Sequence, residues 1–345
     1  MSAVVTPNRL LKAVPNTLGG KRNQAGAIFR AISEAGFPRG RGHTLVDPFM
    51  GGGSVSLLGK LYGYRVIAGD TSPRSAAIGE ALLANDREQL EPSDVAVALT
   101  TDPAGWYIPP LKQLPWPQES LDALAGICRA ADAHDGAKAW LLRALMVKLA
   151  SHISIYGQPR MTAHQRIREK NWDALTEGQI ARMLVPQTRP KEMAKRVAKQ
   201  MYGVVFRNGY ENEFHQADAL KVIEQSAGDV VYLDPPYPDT EGYSRNYVGI
   251  DALLEGRELV IEESRFSQSQ GWRHMTELLA AAEDVPLVVM SLGGENVHVS
   301  KEELEELMRA AGRSVETTTI SYALLRSRAT SKSQRKREWL LIGKK

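Results

Sequence analysis

Asp234-Pro235-Pro236-Tyr237 follows the apolar run Val230-Val231-Tyr232-Leu233. Such a run predicts a short buried strand, which puts the acid at the strand's end. The two prolines fix the backbone and leave their carbonyls without competing local amides. A carboxylate beside a rigid carbonyl can accept both hydrogens of one amino group. An aromatic ring three positions after the acid can stack on a flat base. These residue types suit work on an exocyclic amine of a heteroaromatic ring; a plain proline turn is the other reading.

A second cluster lies earlier. Thr44-Leu45-Val46 predicts a strand, and Asp47-Pro48-Phe49-Met50-Gly51-Gly52-Gly53 follows it. Glycines permit a tight strand-to-helix turn and close approach of a ligand to the backbone. The helix expected over 54–61, with Ser54 as its cap, aims free amides at that turn. A second strand, Arg65-Val66-Ile67-Ala68-Gly69, ends in Asp70, nineteen positions after Gly51. An acid at that spacing can accept both hydroxyls of a ribose. No Gly-Lys-Ser or Gly-Lys-Thr follows the turn, so it is not a phosphate-binding P-loop.

The elements needed to hold these clusters are legible around them. Helices are expected over 24–32 and 73–83, the latter started by Ser72 and Pro73. Strand, glycine turn, helix, strand and acid open a doubly wound α/β sheet. Alternation stops at about residue 85. Residues 102–117 hold five prolines and two tryptophans and exclude a long helix. Trp106 and Trp116 there read as local packing. Helices over 121–131, 137–151, 177–184 and 191–201 fill most of the rest. Alternation resumes with helices over 218–225, 271–282 and 301–311 and strands over 286–290, 315–322 and 338–342. The expected organisation is thus 1–84 and 203–345 as two parts of one catalytic domain, with 85–202 as a mainly helical insertion. Tyr243 and Tyr247, after the second cluster, read equally as a mobile loop over the base or as plain surface.

The chain has 345 residues, 43% apolar and 24% charged, with a formal net charge of +3. These are ordinary globular values. Charge is concentrated, however: residues 160–199 carry a net +6 and residues 326–345 a net +7. Two basic stretches on a nearly neutral chain suggest a polyanionic partner; solvated surface is the plainer reading. No run of about 18 apolar residues predicts a membrane span, and the N-terminus does not read as a secretory signal. A single cysteine, Cys128, excludes an internal disulfide and a cysteine-based metal site. No histidine cluster suggests a metal either, and a reducing, cytoplasmic setting fits. Cytosine carbon-5 methylation uses a cysteine nucleophile, usually preceded by proline. Cys128 follows Ile127 in an expected helix and reads as packing.

In the order of its motifs the sequence resembles the Dam-type DNA adenine-N6 methyltransferases. Asp47-Pro48-Phe49-Met50-Gly51-Gly52-Gly53-Ser54 is similar to that family's cofactor motif, and Asp234-Pro235-Pro236-Tyr237 to its DPPY catalytic motif. Gly19-Gly20-Lys21 resembles the N-terminal motif that closes over the cofactor, with Thr17 where the family usually has an aromatic. Asp218, in Ala217-Asp218-Ala219, matches the acid that holds the cofactor's adenine. The resemblance implies a Rossmann-like S-adenosylmethionine-dependent methyltransferase sheet with an inserted target-recognition domain. It implies methyl transfer from S-adenosylmethionine to the 6-amino group of an adenine flipped out of double-stranded DNA, with no metal. Cofactor candidates are then Lys21, Asp47, Phe49, Gly51, Gly53, Asp70 and Asp218; catalytic candidates are Asp234, Pro235, Pro236 and Tyr237. A partner restriction nuclease fits the family. The alternatives are an RNA methyltransferase acting on an exocyclic amine, and an inactive nucleic-acid-binding module on the same fold.

For DNA contact, Arg160 and Arg166, near Tyr156-Gly157, are candidates to read base edges, and Lys195, Arg196, Lys199, Arg335 and Arg337 to meet phosphates. Phosphate contacts position a duplex without reading its sequence. Replacing Lys195, Arg196 and Lys199 together with alanine is therefore expected to weaken binding to all duplexes and flatten the dependence of affinity on salt. A salt titration of duplex affinity checks this; an unchanged slope would return the stretch to plain solvated surface.

Overall fold

The computed structural model describes residues 4–17, 19–110, 113–114, 116–153, 189–236, 243–260, 264–267, 271–293, 300–323 and 335–345. Their contacts divide the chain into two compact units. One takes in residues 21–71, 208–243 and 263–345; the other takes in 1–20, 72–207 and 244–262. The described part of the expected insertion lies in the latter.

The first of these units is built on a seven-stranded sheet. Its strands are β1 (Thr44–Asp47), β2 (Arg65–Gly69), β3 (Glu213–His215), β4 (Val230–Leu233), β5 (Leu287–Gly293), β6 (Ser314–Ala323) and β7 (Arg335–Lys344). The spatial order is β3-β2-β1-β4-β5-β7-β6. The first five run parallel, and β7 enters antiparallel between β5 and β6. β1 and β4 are buried at almost every position, as the apolar runs require. The doubly wound α/β reading holds. The strand β3 was not anticipated, since Glu213-Phe214-His215 offers one apolar residue among three.

Around the sheet lie α2 (Ala25–Glu34) and α3 (Ser54–Leu61), with further helices Ala219–Glu224, His274–Ala281 and Lys301–Ala310 (α9, α11 and α12 in chain order). The α9 residues Val222 and Ile223, α11 residues Leu278 and Leu279, and β-strand residues Val46, Val231 and Val288 share one buried cluster. Arg313 is also buried, donating to the carbonyls of Ala282, Val285 and Gly343, which ends α11 and fixes β7. Burial lowers its pKa.

The second unit is helical: α1 (Pro7–Ala13), α4 (Pro73–Ile78), α5 (Pro92–Ala98), α6 (Gln118–Asp132), α7 (Gly136–Ile153), α8 (Pro190–Ala198) and α10 (Tyr243–Glu255). The helix expected over 73–83 is α-helical only to Ile78 and continues as a π-helix, Gly79–Ala84. Ser72 caps it as expected, accepting from the Ser75 amide. Buried Lys148 of α7 donates to the carbonyls of Lys12 and Val14 at the end of α1. Cys128 is fully buried in α6, which pushes its thiol pKa far up and fits the packing reading. Trp116 is buried, and Trp106 donates to the Leu253 carbonyl at 2.7 Å. Tyr247 is not on a surface loop: it is buried in α10 under the Arg74 guanidinium, which pairs with Asp251. Its companions Ile250, Leu253 and Leu254 recur at helical spacing and bury the same helix.

Gly69 at the end of β2 is a close-approach glycine. A Cβ there would stand 2.4 Å from Val222 Cγ2 of α9. Gly69→Ala should destabilise by about 1–3 kcal/mol through overpacking. Val222→Ala should relieve much of that, so the two changes should be non-additive in a urea-unfolding cycle. Additive losses would show that α9 accommodates the methyl by moving.

Candidate active site

β1 and β4 are neighbours, yet their sequence neighbours lie on opposite sides of the sheet order. In open α/β sheets ligands bind in the crevice beyond the carboxyl ends of strands at such a switch point. The glycine turn follows β1 and the Asp234 cluster follows β4, so the strand order brings the two motifs to one place. Pairing of Val46 with Val231 sets Asp47 and Asp234 at corresponding ends.

The glycine turn is built as its composition requires. Gly51 and Gly53 adopt φ of 52° and 77°, which side chains rarely tolerate. The Met50 amide donates to the Gly69 carbonyl, tying the turn to β2. The Gly51 amide donates to Asp70 Oδ2 at 2.9 Å. A Cβ on Gly51 would meet little but the Phe49 carbonyl at 3.9 Å, so space beside it is open. The cap of α3 is Gly53 and not Ser54: Ser54 is the first helical residue, and no side chain caps the helix. A left-handed glycine turns the chain where a serine would have to bond back, and it leaves the first amides of α3 without a side-chain acceptor at the cap.

Asp47 is 1% exposed. Its Oδ2 accepts from Ser56 Oγ at 2.5 Å, and Oδ1 has no hydrogen-bond partner among the described residues. Burial drives its pKa up to about 7; the Ser56 bond opposes this, and Asp234 and Asp70 add to it.

Asp234 ends β4 with its side chain 17% exposed. Lys21 Nζ lies 2.7 Å from Asp234 Oδ1 and 3.1 Å from Glu338 Oε1. Lys21 and Glu338 are both buried. The Asp234 pKa is pushed up to about 6, first by burial; Lys21 lowers it and Glu338 raises it. Beneath them the Tyr232 phenol bonds Ser291 Oγ at 2.7 Å, and burial raises its pKa. Lys21, expected on the cofactor, thus stands on the Asp234 carboxylate.

Asp218 caps α9, accepting from the Leu220 amide at 3.0 Å. It also pairs with Arg265 at 3.1 Å, and Arg265 reaches Glu277 at 2.7 Å. Phe49 meets Phe266 edge to face, with ring centroids 5.1 Å apart. Glu338, Arg265 and Phe266 were not singled out in the sequence. Glu338 had one visible signal, an acid opening an otherwise apolar strand.

Pro235 is buried and Pro236 half-buried beside Asp234. Tyr237, Arg160 and Arg166 lie outside the described residues. Lys195, Arg196 and Lys199 are exposed at the end of α8, whose opposite face buries Ala194, Val197 and Ala198. Arg335 opens β7 and Arg337 is exposed on it. Among the described residues no group of three or more His, Cys, Asp or Glu side chains could hold a metal ion, and no helix is long and apolar enough to cross a membrane.

A parallel sheet closed by an antiparallel β7, with a glycine turn and an acid cluster at its switch point, defines a Rossmann-like α/β fold of the methyltransferase type. Residues 18–100 match the family model of the D12 class N6 adenine-specific DNA methyltransferases, and the Dam-type resemblance of the motifs agrees with that match. The chain is 27% identical over 220 residues to a type II methyltransferase, M2.HphI, of Haemophilus parahaemolyticus, covering 61% of this chain and 63% of that one. The aligned part thus spans under two thirds of that relative's length. A precorrin 8w decarboxylase structure from Methanobacterium thermoautotrophicum aligns at 11% identity over 99% of this chain and 96% of that one, with a TM-score of 0.37.

Asp47 gives a stability test. Its folded pKa lies above that of an unfolded aspartate, so the folded state binds the extra proton between about pH 4 and 7. Its contribution is full below the unfolded value and is lost as pH rises through about 7. Asp234 acts in the same direction. Asp47→Asn keeps an acceptor for Ser56 and carries no charge. Relative to wild type it should gain stability steadily as pH rises from 4 to 8, by about 4 kcal/mol at most. Urea unfolding across that range checks this; parallel curves would mean Asp47 stays ionised throughout.

Proposed function

We propose that this chain transfers a methyl group from S-adenosylmethionine to the 6-amino group of adenine in double-stranded DNA. The observation that carries the reading is the acid at the end of β4, held by a buried lysine, at the same switch point as the glycine turn. The family match and the methyltransferase relative support it.

The residues present fit the cofactor. Asp47 Oδ1 is a buried acceptor without a partner among the described residues, as an α-ammonium would require. Asp70 stands at the glycine turn and would accept ribose hydroxyls. The open side of Gly51 admits a ligand to the backbone. Phe49 and Asp218 would hold the adenine ring and its amino group. When bound, S-adenosylmethionine supplies an electrophilic methyl on a sulfonium.

Asp234 and the Pro235 carbonyl would accept the two amine hydrogens. This draws the lone pair out of the ring and orients it, and orientation at contact distance contributes much of the rate. An Asp234 pKa near 6 makes this carboxylate a stronger base than an ordinary aspartate. It is suited to take the proton the amine gives up on methylation. Lys21 then steadies the carboxylate. Tyr237 would stack on the flipped base. The basic residues Lys195, Arg196 and Lys199 would meet phosphates. A partner restriction nuclease would fit a relative named as a type II methyltransferase.

Labelled-methyl transfer to duplex DNA is the expected result. Transfer only to structured RNA would replace the substrate, and binding without transfer would make the chain a recognition module. Asp234→Ala should abolish transfer while cofactor affinity, read by calorimetry, stays near wild type. Asp70→Ala should weaken that affinity by about 1–3 kcal/mol. Tyr237→Ala should lose far more activity than Tyr237→Phe; equal losses would shift the role from the ring to the hydroxyl.

A further inference from the structure

Lys21 is a buried ammonium between a buried carboxylate, Glu338, and a half-buried one, Asp234, and only Asp234 belongs to a recognised motif. Glu338 lies on β7, the antiparallel strand, opposite Gly293 of β5. Because β7 runs against β5, its early residues stand at the end of the sheet where the parallel strands finish. A buried carboxylate so placed carries a high desolvation cost unless a cation meets it, and Lys21 Nζ is 3.1 Å away, an ion-pair distance at which Glu338 Oε1 makes no hydrogen bond among the described residues. Arg337, the adjoining residue on β7, is exposed.

We propose that Glu338 is a positioning residue: by sharing Lys21 it anchors the ammonium on Asp234 Oδ1 and holds back part of its charge from that carboxylate. This rests on the reading of Asp234 as the acid that works on the amine. Were Lys21 committed to Asp234 alone, the carboxylate would be a fully paired, weakly basic anion. With Glu338 drawing on the same ammonium, Asp234 is held in place yet remains basic enough to accept a proton. Among the described residues the other charged or titratable groups facing this cluster are Tyr232 of β4, Asp47 of β1 and, beyond it, Asp70 after β2. None of them changes in the variants below.

The test is the sign of a shift. In Glu338→Gln the repulsion from Glu338 is gone and its pull on Lys21 is weakened, which leaves the ammonium closer to Asp234 in effect. The acid limb of the kcat–pH profile should move to lower pH by about one unit. Lys21→Gln should move it to higher pH. A second readout needs no activity: titration of the Asp234 carboxyl in the cofactor-free protein, by carbon-13 NMR with Asp234→Asn as reference, should move in the same directions. If Glu338→Gln does not fold by circular dichroism, Glu338→Asp carries the test, since the longer reach to Lys21 should move the titration part of the way down. A lower kcat at every pH with limb and titration unmoved would make Glu338 merely structural and overturn the proposal. A titration that shifts as stated in a protein that transfers no methyl to DNA or RNA would sustain the charge sharing and defeat the proposed function instead.

Discussion

Two carboxylates and one ammonium, largely withdrawn from water, meet where the sheet ends, and this group is tolerable only as a set. Removing the ammonium would leave like charges facing each other out of water, and removing either acid would change how strongly the ammonium binds the other. The surrounding elements make sense as supports for it. β4 and β7 bring the acids from opposite chain directions, on either side of β5. The turn before α2 brings Lys21, and its carbonyl accepts from the amides of Gln24 and Ala25. The position of Asp234 therefore depends on residues some 200 positions before it and 100 after it.

The same end of the sheet collects further acid. Asp70, Asp47, Asp234 and Glu338 stand at the ends of β2, β1, β4 and at the start of β7. Burial and mutual repulsion keep Asp47 and Asp234 more basic than free aspartates. A crevice with this much negative character suits a ligand bearing positive charge, and the proposed sulfonium cofactor would be such a ligand. Electrostatic preorganisation of that kind costs stability in the empty protein and is returned when the charge arrives.

The parts of the fold legible in the sequence are those where local chemistry and tertiary position agree. The helix Ser54–Leu61 is legible because a glycine turn starts it, although its cap is Gly53 and not Ser54. β1, β2 and β4 were plain because short apolar runs between turn residues have few other uses. Thr6 and Pro7 also spell out a helix start for α1. α10 was missed because its opening, Tyr-Ser-Arg-Asn-Tyr, reads as polar loop, and its burial depends on partners distant in sequence such as Arg74. At the site, Asp234, Asp47, Gly51 and Asp70 announced themselves by motif. Glu338 did not, because nothing local marks an acid as the partner of a lysine more than 300 residues away.

The placement of β7 also bears on how the protein is made. Among the described residues it follows every other strand in sequence, but in space it separates β5 from β6, and β6 pairs there with β7 alone. On the ribosome, β5 must therefore wait with an open, apolar edge, Leu287-Val288-Val289-Met290, and β6 must wait with no sheet to join. Both are edges of the kind that recruit strands from other chains. Long-range pairing of this sort forms slowly and leaves intermediates exposed. The nascent chain can assemble β1, β2 and β4, but the sheet closes only after residue 344 has emerged. The yield of folded protein should thus be governed by how well those waiting edges are shielded during synthesis.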